Sequence, residues 1–410
     1  MYVTMTRRLV LFCLLAIPAG CASSSGSGGI SGTPLVRVQV LAAQDRVMVT
    51  ATAPPAIRST AEPSWRRVNF PAAGGVAVVR DAGRWRVGNL EFPEGELLIQ
   101  PQTVGSVSVN GQSYRGRYRL VATAANRFDV VNDVDIEGYL MGVVSKEVLP
   151  EWDLEAFKAQ AVAARTYALY EMRTSNNGQH FDLFDDTRSQ VYGGFLGESA
   201  KSRQAVSETA GIVVAYGPRG SEKIFKAYFS SCCGGAGQSA YEAFADPEIP
   251  PLAAKRTGTL CSAAKYFTWP PLVITKTELT RRMKVWAVQS GKNNPVRGME
   301  LLQDIQVAQV NDTGRPVRFV ITDINNRRYS LAGEDFRHAC NADAGSSATL
   351  RSSLTKPVAV GDTIEFTQGH GWGHGVGMCQ WCAQSLAAQG KTHEQILRFS
   401  YPGAVLVRAY

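Results

Sequence analysis

The chain has 410 residues, 43 Lys+Arg against 35 Asp+Glu, and a formal net charge of +8. With 45% hydrophobic and 19% charged residues it has the composition of a folded protein, which excludes an intrinsically disordered chain. Apart from one short stretch near residue 9, no run approaches the ~18 apolar residues of a membrane-crossing helix, which excludes a polytopic helical membrane protein.

In chain order, Arg7 and Arg8 precede the apolar run Leu9–Ile17. A basic start followed by a short apolar stretch predicts a secretory signal over 1–21, too short for a membrane anchor. Ala19-Gly20-Cys21 resembles a bacterial lipobox, in which the Cys21 thiol is acylated, although Pro18 stands where Leu is usual. Simple secretion with cleavage nearby is the other reading. Residues 22–34 are Ser/Gly-rich and predict a flexible tether. The remaining basic residues are dispersed, without the blocks that track a phosphate backbone, so nucleic acid is not an expected partner. A modest positive surface suits an anionic cell-wall polymer or a membrane face.

Residues 35–125 predict a β-rich module. Val36, Val38 and Val40 alternate with Arg37, Gln39 and Leu41, and Val47 and Val49 keep the period of two. Val76–Val79, Trp85–Val87 and Leu97–Ile99 follow, and Asn110-Gly111 marks a hairpin. The pattern changes after Asn132. A helix over Ile136–Val144 is closed by Pro150, and Asp153 is expected to cap a helix running to Glu171. Further helices are predicted over Ser199–Ala210, from Thr275-x-x-Glu278 to about Val288, over Gln380–Ala388, and over His393–Phe399. Strands fit Ile212–Tyr216, Ile224–Ser230, Ile305–Val310, Val317–Thr322 and Thr363–Phe366. The irregular alternation predicts an α+β fold: a mixed core over 126–410, preceded by the β-rich module.

Two stretches carry candidate chemistry. Gly369-His370-Gly371-Trp372-Gly373-His374-Gly375-Val376-Gly377 is too glycine-rich for a regular element. It reads as a loop beside a ligand, or as a tight loop whose histidines cap neighbouring backbone. Glu147 lies among Val143, Val144, Val148 and Leu149. A carboxyl there loses hydration and rises in pKa, as a general acid requires; the alternative is a surface Glu paired with Lys146 or Lys158.

The run from Asn132 to Tyr167, the segment Tyr228–Gly235, the loop Gly371–Trp381 and the closing Ile396–Gly403 together resemble the SpoIID/LytB family, the stage II sporulation protein D and amidase-enhancer proteins. The resemblance implies a peptidoglycan lytic transglycosylase that cleaves the MurNAc–GlcNAc bond to leave 1,6-anhydroMurNAc ends. Glu147, in the Ser-x-Glu motif before the Gln-Ala-x-Ala-Ala-Arg-Thr-Tyr helix, would act as general acid and then base. A lytic enzyme needs no second carboxylate to activate water. Asp135 and Glu137 are expected to cap or solvate their helix. The resemblance also implies a glycan-binding cleft in the mixed core, with groove residues expected at Gln160, Arg165, Tyr167, Ser231, His370, Trp372, His374 and Gln380. Arg165 points about 140° from Gln160 on an ideal helix, so Gln160, Arg165 and Tyr167 cannot all line one wall. The other implied function is a non-catalytic peptidoglycan-binding enhancer of a cell-wall amidase. Either reading expects glycan strands as partner, export to the cell envelope and attachment to the membrane through lipid on Cys21.

Setting aside Cys13 and Cys21, six cysteines remain. An even number in an exported chain points to disulfides. Cys379-x-x-Cys382 also has zinc-ligand spacing, and it departs from the family, which usually has Ser and Gly there. A structural zinc would draw on Cys232, Cys233, Cys261, Cys379, Cys382 and His374. No cofactor is needed for the expected catalysis.

Overall fold

The computed structural model describes residues 32–71, 74–102, 106–174, 178–291, 293–345 and 349–410. The expected signal, Cys21 and all but the end of the tether lie outside the described residues. Among the described residues the α-helices are α1 (Ile136–Glu147), α2 (Leu154–Thr174), α3 (Ala200–Glu208), α4 (Ala240–Phe244), α5 (Lys276–Gln289), α6 (Gly333–Asn341), α7 (Gln380–Ala388) and α8 (His393–Ser400).

The strand Arg127–Asp135 is buried everywhere except at its two ends. A strand covered on both faces has no polar side, so its sequence shows no alternation. Leu35–Gln44 and Arg117–Ala124 flank it antiparallel, and both Val38 and Tyr118 stand opposite Asn132. Four further strands complete a seven-stranded sheet, including Leu183–Phe184, which pairs parallel to Leu35–Gln44 at one edge. Strands from both sides of residue 125 therefore share one sheet. A six-stranded antiparallel sheet adds Val47, Val78 and Trp85 to the same hydrophobic core. There the Trp85 ring meets Phe128 edge-on at 5.2 Å. Asn110 and Gly111 both have positive φ, 48° and 81°, as the expected hairpin turn requires.

Strand Arg127–Asp135 feeds α1 directly. Asp135 caps the helix, its Oδ1 accepting the Gly138 N–H at 2.8 Å. Helix α2 is buried at every position from Ala156 to Leu169 except Lys158. Its alanines let α3, α7 and α8 pack closely around it. The expected cap Asp153 points elsewhere: its carboxylate accepts from Gln384 of α7 at 2.7 Å and ties α2 to α7. Thr275 caps α5, but Glu278 turns to Arg281 and Arg282, so only half of that capping box forms. The Thr392–Gln395 box at α8 forms both ways. The expected strand Ile224–Ser230 is two short pieces, Lys223–Ile224 and Phe229–Ser230.

A second hydrophobic core forms wholly from residues between Trp269 and Phe366, including Leu279, Met283, Phe319 and Phe336. It belongs to α5, α6 and their strands, inserted in sequence between the Cys261 and His370 segments. Helices and strands alternate irregularly along the chain and fall into several largely antiparallel sheets, which is an α+β fold.

Candidate active site

Glu147 ends α1 and is half-buried, between fully buried Val143 and Val144 on one side and Val148 on the other. Its Oε1 accepts the Val191 N–H at 3.2 Å, and its Oε2 faces Gln380 Nε2 at 3.4 Å. Burial raises the carboxyl pKa above its ordinary value, and these two donors only partly oppose that rise. Neither neighbouring lysine pairs with it. Lys158 bridges Glu155 and Glu208, and Lys146 is in no ion pair among the described residues.

Gln380 opens α7 and joins Glu147 to α2, because its Nε2 also donates to Gln160 Oε1 at 3.3 Å. Gln160 is completely buried, and its own Nε2 has no partner among the described residues. Enclosed on all sides, Gln160 serves here as the anchor that fixes Gln380 against Glu147. Trp381, next in α7, packs edge-on against Trp152 at 5.1 Å, and Trp152 lies in the turn after Glu147.

Arg165 is not part of this constellation. It is completely buried, and its guanidinium holds Glu137 through Nε (3.0 Å) and Nη2 (2.6 Å). It also donates to the carbonyl oxygens of Ile212 (3.1 Å) and Val206 (3.4 Å). Glu137 accepts in addition from the Gly211 N–H at 3.0 Å and from the Tyr410 hydroxyl. A guanidinium enclosed in this way has no face for substrate. Tyr167 is buried among Tyr228 and Phe229, with the Lys226 ammonium 5.5 Å from its ring centre.

The glycine-histidine loop is threaded through the Cys232 segment. Gly369–His370 pairs with Thr268–Trp269, Trp372 pairs with Cys232, and Met378–Cys379 runs parallel to Phe229–Ser230. This interlock needs glycine: at Gly377 (φ 68°) a Cβ would collide with the Tyr228 carbonyl oxygen. His374 organises the loop. Its Nε2–H donates to the Phe229 carbonyl at 2.9 Å, and its Nδ1 accepts the Val376 N–H at 3.0 Å. These bonds define one neutral tautomer, and burial lowers its pKa to about 4. Neither ring nitrogen is left to ligate a metal. His370 packs against Phe267, with a buried Nδ1 that has no partner among the described residues. Ser231 serves through its carbonyl, which accepts the Trp381 N–H at 3.1 Å. Trp372 is 44% exposed and lies edge-on to Tyr266 at 4.7 Å.

Beneath this loop the Sγ atoms of Cys233, Cys261, Cys379 and Cys382 all lie within 4.8 Å of one another. Cys233 Sγ is 3.6 Å from Cys261 Sγ and 3.9 Å from Cys382 Sγ. These separations are far beyond an S–S bond, and the described cysteines are free thiols. A tetrahedron with zinc–sulfur bonds of ~2.3 Å spaces its sulfurs about 3.8 Å apart, so the donor set fits zinc. The surroundings fit as well. The Cys233 and Cys382 N–H groups point at Cys379 Sγ (3.3 and 3.4 Å), Thr257 Oγ1 lies 3.0 Å from Cys233 Sγ, and half-buried Lys255 lies nearby. Cys232 packs beside this set but is not one of the four, and Cys340 lies in the second core.

Sequence reasoning missed the segment Asp185–Gly197, which supplies Val191 to Glu147 and lies along α1. At Gly142 of α1 a Cβ would sit 2.8 Å from both the Tyr192 ring and the Gly194 carbonyl oxygen. A glycine inside an otherwise regular helix was the available signal for so close an approach.

A family model described as stage II sporulation protein matches residues 124–216. The chain is 30% identical over 355 residues to the stage II sporulation protein D of Bacillus amyloliquefaciens, spanning 83% of this chain and 90% of that protein. It is also 30% identical over 306 residues to an uncharacterized protein of Brachyspira hyodysenteriae, spanning 75% of each. The amidase enhancer of Bacillus subtilis is 27% identical over 366 residues, 80% of this chain but only 49% of that protein.

Proposed function

We propose, for a chain that belongs to the stage II sporulation protein D family, that it is a lytic transglycosylase acting on peptidoglycan glycan strands. The observation that carries this reading is the Glu147 carboxyl, held by Val191 and Gln380 and raised in pKa by burial. Protonated Glu147 gives its proton to the oxygen between MurNAc and GlcNAc as the C1–O bond breaks. The resulting carboxylate then takes the proton of the muramyl 6-hydroxyl, whose oxygen closes onto C1. The product is a 1,6-anhydro ring, the carboxyl regains its proton, and no water is consumed. Gln380 positions Glu147, and Gln160 in turn anchors Gln380.

Cys233, Cys261, Cys379 and Cys382 would hold a structural zinc, whose chemistry is to cross-link three chain segments. Because Gln380 sits between two of those ligands, the same clamp orients it. Metal analysis is expected to find one zinc per chain, absent in Cys382→Ser, with a lowered melting temperature. We further propose export to the cell envelope and lipid attachment at Cys21, checked by labelling with radioactive palmitate.

The decisive assay incubates purified protein with glycan strands and searches by mass spectrometry for 1,6-anhydromuramyl ends. They are expected with the native chain and not with Glu147→Gln. The likeness to a protein named amidase enhancer favours a second reading, a peptidoglycan-binding partner of a cell-wall amidase. Binding to glycan without anhydro products, together with stimulation of an added amidase, is the outcome that reading requires.

A further inference from the structure

On the side of α1 that faces Asp185–Gly197 lies a cavity of about 510 Å³. Its wall is built from three sources: Val109, Asn110 and Gln112 of the hairpin, Val40 and Leu41 of the edge-proximal strand, and the Tyr192–Gly197 segment. Lys146, one residue before Glu147, enters it. The direction of that side chain is set by two glycines. A Cβ at Gly197 would stand 3.1 Å from Lys146 Cε, and one at Gly193 would stand closer still. Lys146 is the only cation in the lining and Asp185 the only carboxylate, and they form no ion pair with each other. Tyr114 and Tyr192 form an aromatic wall with ring centres 5.1 Å apart. The Tyr192 hydroxyl is already bonded to Asn132 at 3.1 Å, so that residue offers its ring.

An aromatic wall, side-chain amides, one hydrogen-bonding carboxyl and one unpaired ammonium make a site for a sugar that carries an acetamido group and a single negative charge. We infer that this cavity is the subsite for a carboxylate-bearing N-acetylated sugar, with Lys146 holding the carboxylate and Asp185 the hydroxyl or amide hydrogens. The inference rests on the lytic reading above, in which a muramyl residue lies next to Glu147, and it adds the residue that distinguishes muramyl from glucosaminyl units. The carboxylate has two sources, the lactyl group of an unsubstituted muramyl sugar or the end of an attached peptide.

The test is calorimetric or NMR titration of the intact chain with three uncleavable probes: N-acetylglucosamine, N-acetylmuramic acid and muramyl dipeptide. At least one acidic probe is expected to bind more tightly than the neutral one, and the tighter acidic probe identifies the source. Lys146→Gln, at an exposed position, is expected to weaken acidic-probe binding about fivefold and to leave the neutral probe unchanged. Raising the salt concentration is expected to erode the same preference in the native chain. Equal binding of all three probes, or an acidic preference untouched by Lys146→Gln, overturns the subsite. None of the three probes is cut, so the result stands apart from catalysis. If anhydro ends never form but Lys146 still sorts the probes, the lytic reading falls and the subsite remains. If anhydro ends form without that sorting, only the subsite falls.

Discussion

Arg165→Met is expected to destabilise the chain by about 3–5 kcal/mol without changing affinity for glycan, because removing one partner of a buried ion pair leaves the other charge uncompensated. The guanidinium has no solvent-accessible surface, and it donates twice to Glu137 and also to the Ile212 and Val206 carbonyls. Without it, Glu137 keeps only the Gly211 N–H and the Tyr410 hydroxyl. Met fills much of the same volume, so the loss is electrostatic rather than a cavity effect. A deficit of this size lowers the melting temperature by roughly 10 °C in a domain of this size. Glu137→Gln removes the stranded charge, so the double variant is expected to be more stable than the sum of the single losses by about 1–3 kcal/mol. Thermal melts of the four proteins measure the coupling, and titration with glycan strands, below the melting range, measures binding. A variant that melts like the native chain but binds glycan strands more weakly would refute the argument and return Arg165 to the groove.

Two further effects follow from the same geometry. Burial raises the folded-state pKa of Glu147 above its ordinary 4.5, so the native state binds that proton more tightly than the unfolded chain does. Its stabilising contribution is complete below pH 4.5 and is lost as pH rises through the raised value. Glu147→Gln is therefore expected to match the native chain in denaturant melts at pH 4 and to exceed it at pH 8; on the proposed lytic reading, formation of anhydro ends by the native chain declines over the same rise. Gly377→Ala combines a positive φ with a Cβ placed into the Tyr228 carbonyl. It is expected to cost about 2–5 kcal/mol, read from urea midpoints, and a native-like midpoint would mean the loop is not locked to the Tyr228 segment.

Local signals were enough for the helices that carry the site. The alanine-rich face of α2, the Thr392–Gln395 box and the start of α7 at Gln380 all follow from spacing and capping chemistry, which act over a few residues. Motif order was enough to single out Glu147. The strand Arg127–Asp135 was not legible, because burial on both faces erases the period on which such a reading depends. Helix α6 lacks a side-chain cap, Ala332 standing at that position, so nothing in the sequence marked its start.

What a sequence determines here is which residues are candidates for the chemistry: one carboxyl among valines, a glycine-histidine loop, and a Cys-x-x-Cys pair. Which of them meet was decided by tertiary structure alone. Gln380 reaches Glu147 across 233 residues, and Cys233 meets Cys382 across 149. The residue with the strongest chemical resemblance to a substrate clamp, Arg165, is enclosed because Glu137 and two carbonyls reach it first. Contacts of that range depend on how sheets and helices close over one another, and no local period or spacing encodes that closure.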